Sequence, residues 1–197
     1  MRQFREDGLK SSVEERLNQF SAFHKAISDN KGDESEVAQS LIVASYLDHQ
    51  VRLILEGFVL DRKKIKDALF EGPTAPMGSF SSRILAAYSL GLITKEEHES
   101  LTAIRQIRNE FAHKITTSFD VEKMTPFFDK LAWAAGREKV GELDRSEVLF
   151  LASIRLAMAF VNRADHVAAE RRATKEWPDH PIDADMDPDF DPLSLIY

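Results

Sequence analysis

SFSSRILAAYSLGLITKEEHESLTAIRQIRNEFAH, Ser79 to His113, is the stretch that decides the fold class. Ser79 is a small hydroxyl residue ahead of an apolar run, so it can cap a helix reaching Leu90. Gly91 then closes that helix, because glycine enters the left-handed turn that ends helices without a Cβ penalty. Thr94 and Glu97 form the pattern T-x-x-E, in which each side chain satisfies a backbone donor at a helix start. The helix they open runs to about Ile115, with Leu101, Ile104, Phe111 and Ile115 at helical spacing.

The same punctuation continues on both sides. Upstream, Ser12 to Ser28 reads as a moderately amphipathic helix carrying Leu17, Phe20 and Ile27. The link NKGDES ends it, and Glu34 to Leu60 forms a longer helix with Val37, Leu41, Ala44, Val51, Leu55 and Phe58 on one stripe. Asp48 is a charge on that stripe. The segment EGPTAPMGS should be irregular, since it holds Gly72, Pro73, Pro76 and Gly78. Downstream, Phe119 to Ala135 reads as a short helix that restarts near Pro126. Asp144 and Glu147 suggest a second capping box, opening a helix to about Arg172. Alternation long enough for a sheet is absent. The expected fold is therefore all-α: an antiparallel helical bundle with short connections and no sheet. We expect an N-terminal helix and link at 1–33, a helical domain at 34–175, and an acidic, proline-rich tail at 176–197.

Composition bounds the function. The chain has 197 residues, 43% of them hydrophobic and 30% charged, which suits a globular protein. No apolar run approaches a membrane span, and the polar N-terminus lacks a signal peptide core. The absence of cysteine excludes disulfides and thiolate metal sites and fits a cytoplasmic protein. Net charge is −7, and from Glu176 onward there are seven acidic residues and no Lys or Arg. The remainder is therefore near neutral. Such a body lacks the clustered cations that duplex DNA binding needs, so direct operator contact is not expected. Within the tail, DADMD resembles a calcium loop only briefly. Pro188 stands where the sharp turn needs glycine, and the last acidic ligand is missing. The other histidines, His24, His49, His98, His166 and His180, show no metal spacing, so neither a metal nor a cofactor is expected. Met77, Met124 and Met158 read as core filler.

Two places carry candidate chemistry. On a helical wheel, Arg108 falls within the apolar stripe of its helix, with Asn109 and His113 one turn apart on the flank and Arg105 one turn earlier. A buried guanidinium needs a partner, and Asp48 is the natural one. This predicts a partly buried Asp48–Arg108 pair that fixes helix register. The alternative is chemistry: His113 as proton donor or acceptor, Arg108 stabilising phosphate charge, and Asn109 orienting either. The second place is Gly78 to Arg83. Ser79, Ser81 and Ser82 offer hydroxyls at a helix start, Gly78 allows close approach, and Arg83 adds charge. With Arg105 they form a candidate anion site. The plainer reading is a capped helix start with Phe80 as a packing plug.

R-N-x-x-x-H on a helix resembles the motif of the HEPN superfamily. More closely, APMGSFSSRILAAYSLGLITKEEHESLTAIRQIRNEFAH resembles the mannitol operon repressor (MltR) family. The similar features are the GSFSSRI turn and helix, the Y-x-L-G-L-I helix end, the I-R-x-I-R-N-x-F-A-H helix, and SYLD ending at Asp48. The likeness spans roughly residues 34–170 and is strongest over 75–115. It implies a HEPN-like bundle, commonly a homodimer, here with its interface beside His113. In catalytic HEPN proteins, arginine and histidine of two protomers meet in one cleft and cut RNA without metal. The MltR family implies transcriptional regulation, yet no helix-turn-helix with basic recognition residues is present. The expectation is a cytoplasmic regulator working through a protein, nucleotide or RNA partner. The alternative is a metal-independent endoribonuclease using Arg108, Asn109 and His113.

Overall fold

In the computed structural model, residues 2–30, 36–113, 118–136 and 143–176 are described, with side chains from Glu14 onward other than that of His113. Among the described residues all regular structure is helical, and no strand occurs. The helices are α1 (Arg2–Asp29), α2 (Glu36–Phe58), α3 (Lys63–Phe70), α4 (Phe80–Ser89), α5 (Lys95–His113), α6 (Thr125–Asp129), α7 (Arg145–Phe160) and α8 (Arg163–Ala168). A 3-10 turn, Glu122–Met124, leads into α6, with Pro126 in its first turn, where a missing N–H costs nothing. The helix expected over Phe119 to Ala135, interrupted or restarted near Pro126, is thus reduced to this turn and α6, and residues 130–136 form turns instead.

α2 is the hub, touching α1, α4, α5, α7 and α8. It can do so because it is apolar around most of its circumference: Val43, Leu47, Val51, Ile54 and Leu55 are all fully buried. Each such side chain contributes about 2 kcal/mol by leaving water. Leu101, Ile104 and Ile107 of α5, and Leu149, Ala152, Leu156 and Phe160 of α7, close over it. α8 packs tightly against α2 at Gly57. A Cβ there would lie 2.8 Å from the Ala164 carbonyl oxygen, so the crossing requires glycine. α1 also joins the core, through Phe23 and Ile27, with Phe23 stacked on Tyr46.

Polar groups tie the start of α2 to the start of α7. Gln39 Nε2 donates to the Ser146 carbonyl at 3.0 Å, and Ser146 Oγ lies 2.9 Å from Gln39 Oε1. The Glu36 carboxylate accepts the Phe119 N–H at 2.8 Å. Each buried polar atom in these contacts has a partner, which removes the desolvation cost it would otherwise impose.

Several sequence expectations need correction. The Thr94–Glu97 box forms as expected, with Thr94 N–H donating to Glu97 at 2.8 Å and Glu97 N–H to Thr94 Oγ1 at 3.2 Å. The Asp144–Glu147 box does not: Asp144 takes the N-cap position, but its side chain makes no capping hydrogen bond. The helix expected to reach Arg172 breaks at Val161–Asn162, letting α8 turn back onto α2. α3 was not anticipated, because its eight residues hold four charges and bury only Phe70. Met158 is 63% exposed rather than core, and Leu17, Val37 and Leu41 also face outward.

Candidate functional site

The two candidate segments, read separately in the sequence, line one cleft of about 330 Å³ between α2, α4 and α5. Its walls include Asp48 from α2, Gly78 to Ser81 and Arg83 at the start of α4, and Arg105, Arg108 and Asn109 from α5.

The α4 wall is internally satisfied. Ser79 Oγ accepts the Ser82 N–H at 3.1 Å, and the Ser79 N–H donates to Ser82 Oγ at 3.2 Å, a reciprocal cap built from two serines. Ser82 Oγ also donates to the Ser79 carbonyl. These hydroxyls serve the helix start, as the plainer reading expected, and Phe80 packs against the core. Ser81 is exposed and not part of that cap. The N–H groups of Phe80 and Ser81 belong to the first turn, where a helix supplies no acceptor.

Arg83 overturns the expected Asp48–Arg108 pair. Its Nε donates to Asp48 Oδ1 at 2.7 Å and its Nη2 to Oδ2 at 2.6 Å, while Nη1 donates to the Met77 carbonyl at 2.8 Å. Asp48 was rightly read as needing a buried partner, but the partner stands on α4. The fork matches the carboxylate in bidentate fashion, and Arg83 is only 8% exposed. Its charge is committed, so Arg83 does not add to an anion site.

Arg108 is exposed. Glu97, Ser100, Leu101, Ala103, Ile104, Ile107 and Phe111 form the buried face of α5, and Arg108 lies about 60° from its middle. Including Ile107 in the stripe moves its centre away from Arg108. Among the described residues, the Arg108 side chain hydrogen-bonds to Asn109, with Nη1 donating to Oδ1 at 3.2 Å. Among the described residues, neither Arg105 nor Arg108 has a carboxylate partner. The cleft thus holds one neutralised pair, Asp48–Arg83, and two uncompensated cations one turn apart. His113 is the last residue of α5, and its side chain lies outside the described residues. The expected tail and Ile115 also lie outside them.

No family model, curated protein or solved structure matches this chain. Among the described residues, no group of His, Asp and Glu has the arrangement to hold a metal ion, and no helix is long and apolar enough to cross a membrane. The chemistry open to the cleft follows from its donors: two guanidinium groups, the amide of Asn109, the Ser81 hydroxyl and the first-turn N–H groups of α4. All of these suit an anion with several oxygens, above all a phosphate.

Proposed function

We propose that this chain is a regulatory protein of the MltR-like type, with a HEPN-like bundle, whose α2–α4–α5 cleft receives a phosphate of a nucleotide or RNA. The observation that carries this reading is the pair Arg105 and Arg108, which line the cleft and have no carboxylate partner among the described residues. Two cations suit one or two phosphates. They are too few for a duplex backbone, so regulation would not run through operator reading. The protein would act as a homodimer in the cytoplasm, its two-fold interface lying beside His113.

A metal-independent endoribonuclease is the second reading. It is favoured by the same freedom of Arg108, which the ion pair with Asp48 would have removed. Arg108 would stabilise charge on the scissile phosphate, Asn109 would orient it, and His113 would move the proton. The deciding experiment is incubation of the purified chain with single-stranded RNA in EDTA, beside His113→Ala, with binding followed by anisotropy. Binding without cleavage supports the regulator. Cleavage lost in the variant makes the enzyme reading correct. Absence of both binding and cleavage defeats both readings.

A further inference from the structure

We propose that the acidic C-terminal segment, residues 176–197, docks in cis on the Arg105–Arg108 cleft and competes there with phosphate ligands. It shares with the proposed function the premise that this cleft accepts anions.

Three observations converge. First, the cleft holds two cations without carboxylate partners beside the open first turn of α4. Elsewhere among the described residues, Arg16 pairs with Asp165, Arg52 with Glu56, Arg163 with Glu97 and Arg171 with Asp61, while Arg145 and Arg155 donate to backbone carbonyls. Second, the segment from Glu176 carries seven acids and no Lys or Arg, and its Asp183, Asp185, Asp187, Asp189 and Asp191 fall at every second position. In an extended chain, alternate side chains share one side at a repeat of about 6.5–7 Å. Arg105 and Arg108, at i and i+3 on α5, are separated by about 5–6 Å at Cβ. Two successive aspartates can therefore meet two successive arginines.

Third, the chain leaves the body within reach. The Arg172 N–H donates to the Phe58 carbonyl at 2.8 Å, which places the exit at the C-terminal end of α2. Asp48 lies ten residues back along that helix, a distance of about 15 Å. The eleven residues from Arg172 to Asp183 can span about 35 Å when extended. Arg62, Lys63 and Lys64 stand nearer the exit, but on an exposed stretch where water and salt screen them. The cleft presents its charges in a concavity together with backbone donors, where an aspartate gains hydrogen bonds as well as attraction.

Docking is measurable without any phosphate ligand. The chain has no cysteine, so Ser194→Cys introduces a single site for a nitroxide spin label on the full chain. We expect enhanced relaxation of amides at Ser79–Ser82 and Arg105–Asn109. The effect should disappear in the Arg105→Gln/Arg108→Gln double variant and in high salt. A second full-chain variant converts the five alternating aspartates to asparagine. It should bind a 5′-phosphorylated six-nucleotide RNA about three- to tenfold more tightly, because the local competitor is gone. Enhancement centred on Arg62–Lys64, enhancement nowhere on the body, or enhancement only between copies in a mixed sample would overturn the inference. If the label finds the cleft but no variant binds RNA, the proposed function fails while the docking stands.

Discussion

The two walls of the cleft use similar residues to opposite ends. On α4, Ser79, Ser82 and Arg83 are consumed by local structure: the serines cap each other's backbone, and the arginine is locked on Asp48. On α5, Arg105 and Arg108 have no carboxylate partner among the described residues, and Asn109 accepts a hydrogen bond from Arg108. An arginine's role is therefore not legible from its type or from its distance to a cavity. It is decided by whether its donors are already used. The α4 wall gives the cleft its shape, and the α5 wall gives it charge.

The comparison breaks most visibly in stability. Arg83→Ala leaves the Asp48 carboxylate without its counter-charge. Asp48 keeps about a quarter of its side-chain exposure, so the loss should be about 2–3 kcal/mol, below that of a fully buried pair. Arg108→Ala should change urea-unfolding stability by less than about 0.5 kcal/mol, because it removes no committed contact. Equal losses at the two positions would abolish the distinction between the walls.

Binding should show the reverse order. Arg105→Gln with Arg108→Gln should weaken binding of a phosphorylated oligoribonucleotide at least about tenfold, which is about 1.4 kcal/mol, with an unchanged thermal midpoint. Unaltered affinity would move the anion site elsewhere.

Smaller effects sharpen the picture of α4 and α5 as preformed walls. Thr94→Ala should cost about 1 kcal/mol by removing half of the capping box at the start of α5. A change near zero, measured by chemical denaturation, would show that Glu97 and Arg163 hold that helix start without Thr94. The gentlest signal is the salt dependence of RNA binding. Two neutralised phosphates give a log–log slope of about −1 to −2, shrinking by roughly one for each arginine removed. A much steeper slope would mean that the contact extends well beyond this cleft.

Much of this arrangement was visible in the residues, and the failures share one cause. Ser79, Gly91, Thr94 and Glu97 mark helix boundaries through contacts within four residues, so those boundaries stand in the structure. Asp48 was recognisable as a charge needing a partner, because it interrupts an apolar stripe. The choice of Arg83 over Arg108 was not recognisable, since both lie far from Asp48 in sequence. α3 escaped notice for a related reason: Ile65, Leu69 and Phe70 are too few to set a period among its lysines.

By itself the sequence determined the all-helical class, the caps of α4 and α5, the position of the acidic segment, and the residue types available for anion chemistry. These follow from local hydrogen bonding, hydrophobic period and charge counts, which need no knowledge of neighbours. Only the tertiary structure decided that the GSFSSR turn and the Arg105–Asn109 stretch share one cleft, and that Arg83 rather than Arg108 answers Asp48. That outcome depends on how α4 packs against both α2 and α5. Packing sets which guanidinium reaches a carboxylate within hydrogen-bond distance, and the one that does not reach remains available to bind.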